Sequence, residues 1–500
     1  MSPFHTKAAL LAVIAGIALT GCAVGPHFRR PETPNTNAYT ATPPPQETAA
    51  TQGDGGAAQR FIFGQEIPAQ WWTLFHSDAL DQLIRQAMAE SPTLAAAQAR
   101  LREGQENVRA QMGGALFPNV DADFSGKRQK TSGAAFGQPS LKGNLFNLYN
   151  ASVNVSYSLD LFGGARRELE ALQSQVDYQR FQLEGAYLTL TSNIVTTAVK
   201  EASLRAQIRA TGEIVATQAK HLEMVERQFQ LGAVSRPDVL AQRTQLAQTR
   251  ATLPPLEKEL AQSRHLLAVL VGRLPSEATL PEFELEGLRL PEELPVSLPS
   301  SLVRRRPDVR ASEALLHQAS AQIGVATANL FPQISLTGSY GSITTQVEDL
   351  FSNGTNIWSV GAGLLQPVFH GGELMAKRRA AVAAYDQAAA QYRETVLRAF
   401  QNVADALRAL EADAGALKAQ AEAEAAARDG LDLTQKQFQL GAVSTLSLLN
   451  AERQVQQTRV SLVQAKAARY ADTAALFQAL GGGWWNRTPQ TGDAAATSTR

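Results

Sequence analysis

The sequence predicts an α+β membrane protein in which two similar halves combine very long helices with short β-strands. Three observations lead to this fold class. Two stretches of about 66 residues each carry a helical hydrophobic period. Four short segments alternate apolar and polar side chains as a strand does. The same order of segments also occurs twice along the chain, as expected of an internal duplication.

The composition excludes several classes of protein. The 500 residues include 46 basic and 46 acidic side chains, so a formal net charge of zero disfavours nucleic-acid binding. The single cysteine, Cys22, excludes internal disulfides, a thiolate zinc site and a Cys-x-x-Cys redox pair. The sequence contains neither a His-x-x-x-His zinc motif nor a glycine-rich phosphate loop. We therefore expect no enzyme activity, no metal and no dissociable cofactor.

The first residues have the pattern of a secretory signal. Lys7 precedes an apolar run, from Ala8 to Leu19, that is too short for a permanent membrane span. Small residues then precede Cys22, and the segment Leu19-Thr20-Gly21-Cys22 resembles a bacterial lipobox. The resemblance implies cleavage before Cys22, which would carry a diacylglycerol and an N-acyl chain and so anchor stably. Ala23, in place of an aspartate, favours the outer membrane. An ordinary secreted protein with a leftover thiol is the alternative.

The duplication defines the predicted domain organisation. Three blocks recur at an offset of about 210 residues: Leu-Phe-Pro at 116–118 and 330–332, Gly-Gly at 163–164 and 371–372, and Gln-Phe-Gln-Leu-Gly-Ala-Val-Ser at 228–235 and 437–444. Each half is predicted to contain a helix, a strand, a loop, a strand, a very long helix, a turn and a helix. The predicted segments are a signal peptide at 1–21, a lipid anchor and tether at 22–77, a first repeat at 78–273, a Pro-rich connector at 274–300, a second repeat at 301–484 and a disordered tail at 485–500.

The long helices are predicted to form a coiled coil outside the bilayer. No proline occurs between Arg166 and Leu231, and apolar residues fall mostly three or four positions apart. The matching stretch of the second half has many alanines, which allow close approach of helices. About 66 residues at 1.5 Å each give a helix of about 100 Å, more than three times the thickness of the hydrocarbon core.

The alternating segments are predicted to be outer-membrane strands. About eleven residues tilted by about 45° match the apolar band of such a strand. A half-buried sheet of a soluble domain is the alternative for any one segment. The apolar members are Val120, Ala122 and Phe124 in the first segment, Ala151, Val153, Val155, Tyr157, Leu159 and Leu161 in the second, Ile334, Leu336 and Tyr340 in the third, and Trp358, Val360, Ala362 and Leu364 in the fourth.

Four strands per chain predict an oligomer. An open sheet edge in hydrocarbon leaves backbone groups unpaired, at several kcal/mol each, so several chains must share one barrel. Two chains would give eight strands and a filled interior, whereas three give a shared twelve-stranded transmembrane β-barrel with room for a lumen. We therefore predict a trimer whose pore continues into an α-helical coiled-coil barrel.

The chain resembles the outer-membrane efflux lipoproteins of the OprM and NodT branch of the TolC superfamily, from the signal to Trp484. The residues that carry the resemblance are Cys22-Ala23-Val24-Gly25-Pro26 with Arg30-Pro31, Trp71-Trp72-Thr73-Leu74-Phe75, Leu80-Asp81-Gln82-Leu83-Ile84, Arg305-Arg306-Pro307-Asp308, and Leu480-Gly481-Gly482-Gly483-Trp484. The family implies a homotrimer that docks to a periplasmic adaptor protein and an inner-membrane, proton-driven pump of the RND class. Arg304, Arg305 and Arg306 resemble a basic patch, but Pro307 and Asp308 directly after them are a helix-start signal. We therefore interpret these arginines as structural, and a contact with a partner protein is the alternative.

Two sets of site residues follow. The duplicated turns place glycine at a helix C-cap and serine at the next N-cap, which alone explains two tight turns. The resemblance further implies that these turns are the adaptor-docking tip, formed by Gly232, Ala233, Val234, Gly441, Ala442 and Val443. It also implies a periplasmic gate of a leucine and, one turn later, an aspartate. Here these positions are Leu446 and Asn450, so asparagine replaces the acid of a charge-based lock. A ring of Leu446 side chains backed by amide hydrogen bonds is then the expected means of closing the pore. Packing of Leu446 inside the coiled coil is the alternative.

The predicted function is a passive outer-membrane conduit that exports small toxic compounds or drugs from the periplasm, driven by a partner pump. Two alternatives remain at this stage. The same tube could serve as the duct of a type I protein secretion system, or the chain could be a lipid-anchored structural coiled coil that links the envelope layers. The sequence does not identify the exported substrates.

Overall fold

The computed structural model describes residues 23–487, except residues 133, 135, 136 and 138–141. Cys22, the predicted signal peptide and residues 488–500 lie outside the described residues. The α-helices are α1 (Asp78–Glu90), α2 (Pro92–Leu116), α3 (Gly164–Gln230), α4 (Arg236–Ala251), α5 (Leu253–Leu270), α6 (Pro299–Arg305), α7 (Pro307–Ala328), α8 (Glu373–Gln439) and α9 (Thr445–Ala479). The strands are β1 (Arg60–Phe63), β2 (Asn119–Lys130), β3 (Leu145–Leu159), β4 (Glu293–Val296), β5 (Gln333–Thr344) and β6 (Asn356–Leu365).

The predicted order of elements is found in both halves. Each half has a helix, two strands, a long helix, a turn and a further helix, and the long helices α3 and α8 have 67 residues each. One difference concerns the helix after the first turn, which breaks between α4 and α5. Pro254 and Pro255 follow the break, and proline cannot donate the backbone hydrogen bond that a continuous helix requires. The corresponding α9 lacks these prolines and runs for 35 residues.

The chain forms two compact units. The first comprises the described residues of Met1–Pro31 together with Arg100–Arg180 and Ala311–Arg393. It contains an antiparallel sheet in the order β2-β3-β5-β6, so the hairpin of each half lies side by side with that of the other. Beside the sheet, α7 contacts α3, where Nε2 of His317 lies 2.9 Å from the Glu170 carboxylate.

The segment that follows Cys22 is fixed within the first unit. The backbone N–H of Val24 donates to the carbonyl of Phe162 at 3.0 Å, and Arg167 donates to the carbonyl of Val24 at 3.1 Å. Farther along, Arg30 pairs with Glu313 at 2.6 Å. These contacts hold the segment just beyond the end of β3.

The second unit comprises Glu32–Ala99, Phe181–Arg310 and the described residues of Glu394–Arg500. Trp71 and Phe75 are buried in its core, where Trp71 packs on Phe477 at 5.3 Å between ring centroids. The short strands β1 and β4 pair in parallel in this unit. The sequence did not predict these strands, because four residues are too few to show a period and Pro295 lies in one of them.

Buried arginines organise the second unit. Arg469 is fully buried and donates to the hydroxyl of Thr48, the side chain of Gln59 and the carbonyls of Gly55 and Ala57. The predicted tether is therefore held to α9 along this stretch. A buried charge needs such a full set of partners to be tolerated.

Arg306 has the structural role that its sequence context predicted. It pairs with Asp308 at 2.8 Å and donates to the carbonyls of Ala399 and Ala479 at 3.3 and 2.9 Å. The arginine thus joins the start of α7 to α8 and α9 within the second unit, and does not form an open basic patch.

Among the described helices, none combines the length and the apolar character needed to cross a membrane.

Candidate functional site

The four-stranded sheet has one continuous apolar face. The register places Val155 opposite Val120, Val153 opposite Tyr340, and Tyr340 opposite Trp358. The apolar residues predicted from each strand separately therefore align into one surface, except Leu161, which lies beyond the end of β3. Many of them are exposed in the single chain, including Phe124, Tyr340, Trp358 and Val360, the last with 81% of its surface open. An apolar surface of this kind requires a partner or a lipid environment.

The opposite face of the sheet is polar. Asn150 donates to the carboxylate of Asp123 at 3.2 Å, and the hydroxyls of Ser339 and Ser359 lie 3.4 Å apart. The central members of this face are small or polar: Asp121, Ser152, Asn154, Ser156, Ser335, Thr337, Gly361 and Gly363. Larger apolar side chains stand on the same face nearer the strand ends: Phe146, Leu148, Ile343, Ile357 and Leu365. The central part of this face can border water.

Both edges of this sheet are open in the single chain. Strands β2 and β6 each pair on one side only among the described residues. All ten residues of β6 are exposed. The sheet therefore combines an apolar face with two rows of unpaired backbone groups.

The two duplicated turns have the same geometry. Gly232 and Gly441 adopt left-handed backbone conformations, with φ of 73° and 71°. The backbone N–H of Ala233 donates to the carbonyl of Gln228 at 2.8 Å, and that of Ala442 donates to the carbonyl of Gln437 at 2.9 Å. Each is the six-to-one hydrogen bond that ends a helix in a Schellman motif. No atom lies within 4 Å of the space that a Cβ would occupy at either glycine. The backbone conformation, and not crowding, explains glycine at these two positions.

The helix starts after the turns are capped differently. Ser235 and Asp238 form a capping box, in which the Ser235 side chain and backbone donate to the Asp238 carboxylate. These bonds, with a further one from Thr445, lower the pKa of Asp238. Ser444 instead accepts from the backbone N–H of Ser447 at 3.3 Å.

A small apolar cluster holds the two turns together. Val225 and Val239 from the first helical hairpin pack with Phe438 and Leu448 from the second. Val234 and Val443, which belong to the predicted docking tip, pack against this cluster, whereas Gly232, Ala233, Gly441 and Ala442 are exposed. The structure thus brings all six predicted tip residues to one end of the two hairpins.

The predicted gate residues lie on the first turns of α9 and are exposed. Leu446 is 61% exposed, in contrast to the neighbouring Leu448 and Leu449, which are buried. Asn450 is exposed as well, and its side-chain oxygen accepts a bond from Arg453 at 2.6 Å. Leu446 therefore does not pack into the core of its own chain. It faces away from the cluster that joins the two turns.

A buried polar cluster that was not predicted from the sequence lies close to the tip. The Glu452 carboxylate contacts Nδ1 of His221 and lies 3.4 Å from the side-chain nitrogen of Gln242. Glu452 is 3% exposed and connects α9 to both helices of the first hairpin. The sequence pattern could have predicted this burial. Glu452 follows the apolar Leu448 by four positions and so occupies the buried stripe of its helix.

The described residues contain no group of three or more His, Cys, Asp or Glu side chains that could hold a metal ion.

Comparisons with known proteins cover almost the whole chain. A family model described as "Outer membrane efflux protein" matches residues 83–273 and 298–482. The chain is 30% identical over 503 residues to the probable efflux pump outer membrane protein TtgC of Pseudomonas putida, covering 99% of both chains. It is 31% identical over 423 residues to the pyoverdine export outer membrane protein OpmQ of Pseudomonas aeruginosa, covering 83% of this chain and 87% of OpmQ.

Two solved structures are also similar. The outer-membrane channel OprN superposes with a TM-score of 0.82 at 28% identity, covering 93% of this chain and 100% of OprN. The CmeC outer membrane channel of Campylobacter jejuni superposes with a TM-score of 0.84 at 20% identity, covering 96% and 98%. The second likeness concerns the fold alone.

Proposed function

Because the chain belongs to the outer membrane efflux protein family, we propose that three copies close one twelve-stranded barrel and form a passive conduit. The protein is an outer-membrane component of an efflux system.

One observation carries the proposal: the sheet combines an exposed apolar face with two open edges. A lipid environment would satisfy the apolar face, but it cannot satisfy unpaired backbone groups at β2 and β6. Both requirements are met when further copies of the sheet continue the ladder and close it. Three copies of four strands give twelve, a number that leaves a lumen inside the barrel.

The polar face would then line the lumen. The central residues of this face are mostly uncharged serine, threonine, asparagine and glycine, and the charged side chains Asp121, Asp123 and Lys127 lie on β2. A wide lumen of this kind has no evident means of selecting its cargo or of driving transport. We therefore propose small toxic compounds or drugs as cargo, with energy and selection supplied by an inner-membrane RND pump through a periplasmic adaptor. The relatives described above are named for efflux or pyoverdine export, so the protein-secretion alternative is not favoured.

The adaptor is proposed to dock at the duplicated turns. Gly232, Ala233, Gly441 and Ala442 present small exposed surfaces at one end of the two hairpins. Small side chains allow another backbone to approach closely. The apolar cluster beneath them keeps the two turns in a fixed relation, which supports a preformed docking surface.

Cys22 is proposed to carry the lipid anchor. It immediately precedes Ala23, which lies against Gly163 just beyond β3. An acyl chain on Cys22 would therefore emerge beside the end of the sheet. We expect cells expressing the wild-type protein to incorporate labelled palmitate into it, and the Cys22→Ser variant to incorporate none. Equal labelling of both would exclude this anchor.

Leu446 and Asn450 are proposed to close the periplasmic end of the conduit. In purified trimers reconstituted into planar bilayers, Leu446→Ala and Asn450→Ala are each expected to raise the mean single-channel conductance several-fold. The reason is that a ring of exposed leucines excludes water from a narrow opening, and alanine widens it.

Leu440→Ala is the matched control for the gate, since Leu440 is also exposed but lies in the preceding turn. It should leave the conductance unchanged. A closed state that is identical in the wild type and in both gate variants would remove the gate assignment. Purified protein that is monomeric and conducts no ions would contradict the proposed function as a whole.

A further inference from the structure

We propose that the junction between neighbouring copies repeats the junction between the two halves of one chain, with Phe369 of one copy stacked on Phe117 of the next. The proposal rests on the shared barrel proposed above, and it names the residues through which that barrel closes.

The junction within one chain lies where β3 runs beside β5. Phe162, just after β3, stacks on Phe331, just before β5, with ring centroids 4.7 Å apart and an interplanar angle of 18°. Helices α3 and α7 also approach closely there. A Cβ at Gly164 would lie 3.2 Å from the Cβ of Ala328.

The duplication supplies a counterpart for each of these aromatic residues. Phe117 corresponds to Phe331, since each is the centre of a Leu-Phe-Pro block. Phe369 corresponds to Phe162, since each closely precedes the Gly-Gly pair before a long helix. In the single chain, however, Phe117 adjoins the edge strand β2 and Phe369 adjoins the opposite edge strand β6. They are 61% and 85% exposed, whereas Phe162 and Phe331 are both partly buried.

The helices beside the two junctions also differ, because α7 is packed between neighbours and its counterpart α2 is largely exposed. Helix α7 contacts α3 through His317 and α8 through a bond from Arg378 to Thr327, and it buries Leu316 and Ala321. Its counterpart α2 buries Leu94 alone, although every one of its residues is described. The corresponding helices of the two halves thus differ in burial. We attribute the difference to a neighbour that α7 has and α2 lacks in the single chain.

Glycines beside the two open edges of the sheet support the same conclusion. Gly113 and Gly114 lie in the last turn of α2, and Gly371 and Gly372 precede α8. All four have open space where a Cβ would lie, while Gly164, the counterpart of Gly372, lies against Ala328. In a closed ring the start of α8 would meet the end of α2 from the next copy, as the start of α3 meets the end of α7. A head-to-tail interface closes into a ring when the rotation between copies closes, as a three-fold rotation does.

The register within the chain predicts the register between chains. Tyr157 of β3 lies opposite Leu336 of β5. Tyr157 lies five residues before Phe162, and Leu336 lies five residues after Phe331. Counting in the same way from Phe369 and Phe117 gives Leu364 in β6 and Ala122 in β2, so these two should be opposite each other across the junction. Both belong to the apolar face, and the junction would therefore continue that face without interruption.

Paired cysteines test this register. A chain carrying both Leu364→Cys and Ala122→Cys, oxidised in outer-membrane vesicles, should run as covalently linked dimers and trimers on a denaturing gel. The matched control carries Val360→Cys and Ala122→Cys. It shifts one cysteine four residues along β6, by about 13 Å, beyond the roughly 7 Å Cα separation that a disulfide spans. This control should stay unlinked, and single-cysteine variants measure the background from Cys22.

Linkage of the shifted pair without linkage of the predicted pair would overturn the register and leave the trimer intact. Absence of any trimer would instead contradict the proposed function. The stack is tested separately by comparing Phe117→Ala, Phe369→Ala and the double variant. Each single variant should lower the temperature at which trimers dissociate, and the double variant should lower it no further. Additive losses would show that the two rings do not meet.

Discussion

A lysine in place of Val360 is expected to abolish insertion of the trimer into the outer membrane. Val360 lies in the middle of β6 on the apolar face, opposite Gly338. A lysine facing lipid near the bilayer midplane costs about 2–4 kcal/mol in a transmembrane barrel, or about 6–12 kcal/mol for three copies. The larger figure is comparable to the whole stability of a typical domain.

Ser359→Lys is the matched control, because Ser359 is the adjacent residue and belongs to the polar face. Its side chain would enter the water-filled lumen, where a charge is hydrated. This variant should assemble normally and shift the ion selectivity of the pore towards anions. Heat-resistant trimers in outer-membrane fractions measure assembly, and reversal potentials in planar bilayers measure selectivity.

The two lysine variants decide between the possible environments of the sheet. If both assemble, the apolar face does not face lipid, and the barrel proposal fails. If neither assembles, β6 does not tolerate a lysine on either face, which also contradicts a polar lumen. Only failure of Val360→Lys together with success of Ser359→Lys agrees with one face in lipid and the other in water.

The strands and long helices were predictable because their environment leaves a local pattern. A strand between lipid and water alternates with every residue, so the side that Val153 or Trp358 faces follows from its neighbours alone. The long helices likewise carry a three-to-four spacing without proline. The resemblance inferred from the motifs is confirmed by the family match and the relatives.

The contacts that the sequence did not reveal join distant parts of the chain. Arg469 binds Thr48 across 421 positions, and His221 contacts Glu452 across 231. No local period reports such a pairing, and in the sequence alone Arg469, His221 and Glu452 each resemble an ordinary polar residue of the surface. The gate formed by Leu446 and Asn450 stays a prediction for a related reason. In the single chain both residues are exposed, and what they meet depends on the other copies.

Replacing Gly441 with lysine is expected to abolish export while the trimer still assembles. The left-handed backbone at Gly441 costs a residue with a Cβ about 1–2 kcal/mol. The buried contacts of Phe438 and Leu448 beside the turn should withstand this loss. No atom fills the space at Gly441, so the lysine would project from the exposed tip and block a close contact with an adaptor. The measurement uses a host that lacks the gene for this protein but supplies the adaptor and the pump. Cells expressing Gly441→Lys should be as susceptible to drugs as cells that carry the empty vector.

Gly441→Asn separates strain from obstruction at the tip. Asparagine tolerates the left-handed conformation better than other residues with a Cβ, and its side chain is short and uncharged. This variant should retain most of the export activity, and Gly232→Lys should fail as Gly441→Lys does, because both turns have the same backbone geometry. If the lysine variants fail only because the turn is strained, the asparagine variant should lose part of its activity and trimer yield should fall in step. Normal resistance with lysine at both glycines would mean that the adaptor does not bind these turns.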